Sequence, residues 1–240
     1  MLRLFRGNNR FRKYFALGCF LPLIGLASSI KYNDFTLDNG LHVSIGQMAG
    51  LKQQTISFCV AVGAADEHWG GTGITAVLEA LLSDVALHQK QSLLKRSRVE
   101  QTEDHICHTM TIRPDQLDAL MQEALLRLKP MSFTQDQVDH ALERVVQAER
   151  TDYEDHPGRD LFGRYRSIAL YPTPYQHPIW GWPEDRERIT FAQLEHWHNR
   201  WYMPNNVSIT AIGPLSANRV LQRVRYYFSA LAKQPSFRGF

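Results

Sequence analysis

Gly71-Thr72-Gly73-Ile74-Thr75-Ala76-Val77-Leu78-Glu79-Ala80-Leu81-Leu82-Ser83 is the stretch from which the rest of the chain can be organised. Ile74, Val77, Leu78, Leu81, Leu82 and Val85 recur at helical spacing and form one apolar stripe. The opposite side carries Ala76, Glu79, Ala80 and Ser83, a row of small residues around a single carboxylate. The glycines before it mark a turn into the helix. On these residues alone, the segment reads equally as an ordinary amphipathic helix whose alanines allow close packing.

Strand patterns lie on either side of this helix. Phe35-Thr36-Leu37, the turn Asp38-Asn39-Gly40 and Leu41 to Ile45 predict a hairpin. Ile56, Phe58, Val60 and Val62 alternate with Thr55, Ser57, Cys59 and Ala61, as do Ile106, His108, Met110 and Ile112 with their neighbours; each is a half-buried strand. Residues 88–104 are polar and read as a loop or ragged edge strand. Pro114 opens a helix striped by Leu117, Leu120, Met121, Ala124 and Leu128. Thr134 with Gln137, and Thr190 with Gln193, are capping boxes opening two more. A helix is predicted over 160–170, a strand over 207–212, and a last helix capped by Ser216. In the helix after Thr134 the buried stripe Val138, Leu142, Val145 continues to Glu149, and a carboxylate there demands a partner, a metal or a wet pocket. This order predicts an α+β fold, with helices on one face of a sheet.

With 240 residues the chain can build a sizeable core. Its formal charge of +3 is unevenly spread: residues 1–29 hold Arg3, Arg6, Arg10, Arg12 and Lys13 and no acid, so the remainder stands at −2. The basic balance therefore reports the leader, and nucleic acid is not an expected partner. That leader has a basic head, an apolar run from Tyr14 to Leu26 and the small residues Ala27-Ser28-Ser29, the three parts of a secretory signal. Residues 1–29 are read as a signal peptide, with an uncleaved membrane anchor over 14–30 as the alternative, and 30–240 as a single domain. Outside the leader only Cys59 and Cys107 remain, each on the small-residue face of a strand, and in an oxidising compartment they could pair.

The glycine turn and helix resemble the inverzincins, the pitrilysin/insulinase family of zinc peptidases, whose helix carries H-x-x-E-H. Aligned on Gly73, the first His falls at Ala76, the Glu at Glu79 and the second His at Ala80. Thr36 to Leu41 resembles the family's opening hairpin, and Val62-Gly63-Ala64-Ala65-Asp66-Glu67 its strand end before the metal helix. Val145 to Pro157 resembles the segment that supplies the third ligand, which falls at Glu149. His177-Pro178 and Trp201 to Asn206, on to Gly213, resemble the closing segments, so the likeness covers about 33–233. It implies one two-layer domain of the N-terminal type, with a mainly antiparallel sheet. Family members usually carry two such domains closing as a clamshell, so the likeness implies a second metallopeptidase-family chain, or a second copy, as partner. Residues 93–112 do not match the family's polar substrate-edge pattern.

In an intact site two imidazoles and Glu149 would hold zinc, and Glu79 would activate its water. Here both imidazole positions are methyl groups, so zinc is expected to be lost, leaving Glu79 as a vestigial base position and Glu149 as a retained ligand equivalent, both facing a solvated hollow. His105 and Cys107 share a strand face while His108 points away, which spoils a substitute cluster. His196 and His198 face apart. Trp180 and Trp182, in a Pro-rich loop, either anchor a partner or pack over their own domain's edge, whereas Trp197 and Trp201 belong to the core. The expected function is that of an inactive metallopeptidase homologue, periplasmic or secreted, acting as a non-catalytic subunit or peptide binder. The alternatives are an active zinc peptidase with non-standard ligands and an envelope scaffold.

Overall fold

The computed structural model describes residues 31–87, 92–233 and 235. The leader over 1–29 and its possible anchor over 14–30 lie outside these residues. Six strands form one sheet: β1 (Lys31–Thr36), β2 (His42–Gln47), β3 (Gln54–Val60), β4 (Arg98–Gln101), β5 (Ile106–Ile112) and β6 (Val207–Gly213). Their spatial order is β1-β2-β6-β3-β5-β4. All pairings are antiparallel except β2 with β6, which run parallel. The helices are α1 (Ile74–Leu87), α2 (Leu117–Leu126), α3 (Gln135–Asp155), α4 (Pro157–Ala169), α5 (Pro183–Arg186), α6 (Phe191–Trp201) and α7 (Ala217–Phe228).

The predicted alternation sets which side of the sheet is covered. Ile56, Phe58 and Val60 of β3, Ile106, Met110 and Ile112 of β5, and Val207, Ile209 and Ala211 of β6 are buried. The intervening Thr55, Ser57, Thr109, Ser208 and Thr210 remain half-buried on the other face. There Ser57 and Thr109 lie in register and their hydroxyls meet at 3.0 Å. Cys59 and Cys107 are also register partners and form a disulfide.

Helix α1 is buried on both sides. Its stripe, Ile74, Val77, Leu78, Leu81 and Leu82, joins the core, and Ala76 is buried too. Helix α3 is its principal helical neighbour, so small residues at 76 and 80 suit a second packed face. The start of α1 is held by two acids from outside it. Glu67 accepts the N–H groups of Gly73 at 2.7 Å and Thr75 at 3.0 Å. Asp185 accepts the Thr72 hydroxyl at 2.6 Å and its N–H at 3.3 Å, and the Thr72 hydroxyl accepts the N–H of Trp182 at 2.9 Å. Both glycines at this junction have positive φ, +86° at Gly73 and +74° at Gly181, and a Cβ on Gly181 would lie 2.2 Å from the Gly73 nitrogen. The backbone of the 180s loop is thus seated on the first turn of α1, a contact that only glycine permits.

Thr134 and Thr190 cap α3 and α6 as predicted, each accepting the N–H of the residue three further on, and Ser216 caps α7. Helix α4 starts earlier than predicted, because Pro157 serves as its first residue. No residue of α4 is fully buried.

Candidate functional site

Beside α1 a cleft of about 860 Å³ opens between the sheet edge and α3–α4. Ala76, Glu79 and Ala80 of α1, with Val145 and Ala148 of α3, border it. One rim is β4 together with Thr102, and the opposite rim includes Tyr153, Arg159, Phe162 and Arg166. Because β4 ends the sheet, the backbone edge it turns away from β5 has no strand partner among the described residues. The polar stretch that failed to match the family's edge pattern is nonetheless an edge strand lining this cleft.

The expectation that Glu79 faces a solvated hollow is corrected. Glu79 borders the cleft but is only 6 % exposed, because its carboxylate is turned into a buried cluster. Arg127, just after α2, donates from Nη2 to both oxygens, at 2.6 Å to Oε2. His108 of β5 brings Nε2 to 2.9 Å from Oε1, and Ser83 donates to the same oxygen at 3.2 Å. The Tyr202 hydroxyl donates to Oε2 at 3.4 Å. Arg127 is itself fixed by His198, whose Nε2 donates to the Arg127 carbonyl at 2.8 Å and whose ring stacks on Tyr202 at 4.9 Å. Burial pushes the Glu79 carboxyl up, but the charges of Arg127 and His108 and their hydrogen bonds outweigh it and hold the pKa down to about 2. Burial and the adjacent carboxylate push the Tyr202 phenol the other way, well above its usual value.

Glu149 is also paired rather than solvated. It accepts from Arg186 Nη2 at 2.6 Å, and Arg186 anchors itself through Nη1 to the carbonyls of Trp180 at 2.8 Å and Gly181 at 3.3 Å. Arg186 is buried, and Glu149 is mostly covered. Two carboxylates on neighbouring helices therefore each have an arginine of their own.

These residues do not fit a zinc ion. Positions 76 and 80 offer methyl groups, which have no lone pair. The carboxylate at 79 is occupied by a guanidinium and an imidazole, and that at 149 by a second guanidinium. Among the described residues no three His, Cys, Asp or Glu side chains gather where they could hold a metal. His105 is turned into the Thr102 turn, and His196 is exposed while His198 is buried.

The tryptophans fall as follows. Trp180 is half-buried, packs against the core and borders the cleft. Trp182 is half-buried over the start of α1. Trp197 and Trp201 are core residues, 5.7 Å apart between ring centres. Arg127 and Arg186 did not stand out in the sequence, and neither His108 nor Tyr202 was read there as a partner of Glu79. The only hint was the demand of Glu149 for a partner, which Arg186 meets.

The sequence model of the peptidase M16 inactive domain matches residues 188–240. No curated protein matches the chain. Among solved structures, a protease from Helicobacter pylori has the same fold at 18 % identity and a TM-score of 0.75, over 88 % of this chain and 52 % of its own. The first half of the periplasmic protease PqqL from Escherichia coli matches at 18 % and 0.75, over 88 % and 48 %. A peptidase M16 inactive domain from Pseudomonas fluorescens matches at 16 % and 0.70, over 87 % and 53 %. The chain spans a quarter to about half the length of the solved relatives it resembles. The fold is that of an M16-type peptidase domain. The likeness to the pitrilysin/insulinase family that the sequence carries is thus borne out, by the fold throughout and by the inactive-domain match at its C-terminal end.

Proposed function

We propose that this chain is a non-catalytic M16-type domain of the cell envelope that works by binding, as the inert partner of a second family-type chain or as a peptide receptor. The carrying observation is the Glu79 cluster. A base that must accept a proton from a metal-bound water has to face that water with its carboxylate available. Glu79 is instead bound by Arg127 and His108 beside two methyl-bearing positions. A carboxyl held near pKa 2 is also a poor proton acceptor at neutral pH.

An extracytoplasmic location is supported by the Cys59–Cys107 disulfide, since such bonds persist in oxidising compartments. The naming of PqqL as a periplasmic protease points the same way. Among the described residues no helix is long and apolar enough to cross a membrane. A partner is supported by the outer face of α4, where Leu161, Tyr165 and Ile168 recur at helical spacing and are 71, 63 and 80 % exposed.

The test is peptide hydrolysis by the purified chain in buffer containing zinc, alongside Glu79→Gln. We expect both proteins to be equally inert. Cleavage by the wild type that disappears in Glu79→Gln would overturn the reading and restore an active peptidase.

A further inference from the structure

The face of the sheet turned away from the core carries the Cys59–Cys107 disulfide. In the row that crosses it, Ser208, Cys59, Cys107 and Glu100 stand opposite one another on β6, β3, β5 and β4. Directly opposed side chains of antiparallel strands lie about 5 Å apart, so each cysteine has a polar neighbour on its outer side. Thr111 and Ile212 are exposed on this face, and both cysteines are only half-buried.

The surroundings of the two sulfurs differ. The Ser57 hydroxyl lies 3.4 Å from the Cys59 sulfur and 3.0 Å from the Thr109 hydroxyl. A disulfide sulfur carries no hydrogen, so Ser57 donates to Cys59 and Thr109 donates to Ser57. A donor aimed at a sulfur stabilises a thiolate there, and a second hydroxyl behind it strengthens the bond. Cys107 has the opposite setting, because the carboxylate directly across from it disfavours a second negative charge. Arg98, on the same face of β4, stands opposite Thr109, one row further along.

A thiolate opens a disulfide by attacking one sulfur and expelling the other, and the thiol of lower pKa leaves faster. The neighbours make Cys59 the better leaving group, so attack falls on Cys107, one strand in from the edge of the sheet. From this asymmetry we propose that the Cys59–Cys107 disulfide is an exchange site for small thiols, which are captured on Cys107 while Cys59 is released. The attacking sulfur bonds to the Cys107 sulfur, the S–S bond breaks with its electron pair on Cys59, and Cys59 takes a proton from water. A second thiol displaces Cys107 from the adduct as a thiol and leaves as the small disulfide, so two small thiols are oxidised for one protein disulfide reduced. The strands need not part, because seven register pairs hold β3 against β5 and keep Cys59 beside the adduct, where it can close the bond again. Small thiols fit this site better than a thiol on a folded protein, because both cysteines are half-buried among the side chains of the sheet. The proposal is independent of the non-catalytic reading above.

The experiment incubates the oxidised full chain with mercaptoethanol and quenches aliquots in acid at increasing times. Free thiols are then blocked with a maleimide, and peptide mass spectrometry locates the adduct. Mercaptoethanol should be found on Cys107 at least about fivefold more often than on Cys59. Ser57→Ala and Thr109→Val each remove part of the donor chain and should reduce that bias, with circular dichroism confirming an intact sheet. In the fully reduced protein, alkylation rates against pH should place the Cys59 thiol pKa below that of Cys107, and Glu100→Gln should narrow the gap. Adduct shared equally or lying mainly on Cys59, no exchange until denaturant is added, or an unchanged bias in both donor variants would each overturn the proposal. So would equal thiol pKa values in the reduced wild type. Hydrolysis and zinc uptake are read separately, so the failure of either reading is distinguishable from the failure of the other.

Discussion

Glu79 sits where a carboxylate is costly unless something answers its charge. The answer here is Arg127, with His108 and Tyr202 completing the set. Removing one member of a buried pair strands the other, so Arg127→Met should cost about 3–5 kcal/mol in urea unfolding. The double variant Arg127→Met/Glu79→Gln should recover part of that loss, and a double-mutant cycle measures how much. Acid exposes the same balance. Glu79, with its pKa lowered from 4.5 to about 2, contributes stability that is present above pH 4.5 and lost as pH falls toward 2. Glu67 has the opposite sign: burial raises it from 4.5 to about 7, so its contribution is full below 4.5 and lost as pH rises to 7. Each effect is about 3 kcal/mol. Read as the difference in melting temperature from the wild type, Glu67→Gln should remove the loss between pH 4.5 and 7, and Glu79→Gln the loss below pH 4.5. A wild-type advantage over Glu67→Gln that does not shrink from pH 4.5 to 7 would refute the assignment for Glu67. At this scale the sequence marked the carboxylates and missed their partners. Helical spacing alone singles out Glu79 and Glu149, but Arg127 is 48 residues from Glu79, Tyr202 is 123 away, and Arg186 is 37 from Glu149. No local pattern links groups so far apart in the chain.

Among the elements, the start of α1 and the β3–β5 pair carry the arrangement. The first turn of α1 is fixed by the 180s loop through Gly73 and Gly181 and by the acids Glu67 and Asp185. Gly181→Ala combines a positive φ with a backbone clash, so it should destabilise by at least about 2 kcal/mol in denaturant unfolding. Helices α3 and α6 were legible to the residue because their caps are local. The cap of α1 was not, because one of its acids lies 113 residues from the threonine it holds. The cysteines were visible on matching strand faces, yet their pairing depended on register, which only the assembled sheet defines. The disulfide closes a separation of 48 residues, and replacing both cysteines by serine should cost about 2–4 kcal/mol. Thermal melts with and without reductant give the same comparison in the wild type.

For the whole molecule the question is what faces the surfaces left open. The apolar periodicity of α4 was a fair helix signal, but such a stripe normally marks a core-facing side; here Leu161, Tyr165 and Ile168 point outward and no residue of the helix is fully buried. Tyr165→Glu and Ile168→Glu should change the stability of the isolated chain by no more than about 0.5 kcal/mol, because both side chains are mostly exposed and Tyr165 meets the Phe162 ring of its own helix at 6.3 Å. The same changes should abolish association with a family-type partner or a second copy, read by light scattering across a concentration series and by co-purification with a co-expressed partner. Unchanged association would mean that the partner sits elsewhere. All of this depends on the positions that the family likeness assigns to a metal, Glu79 and Glu149 among them, being held in ion pairs of the fold. A calorimetric titration of zinc into the purified full chain tests that most directly. The account predicts no saturable one-to-one uptake; stoichiometric binding that disappears in Glu149→Gln would contradict it.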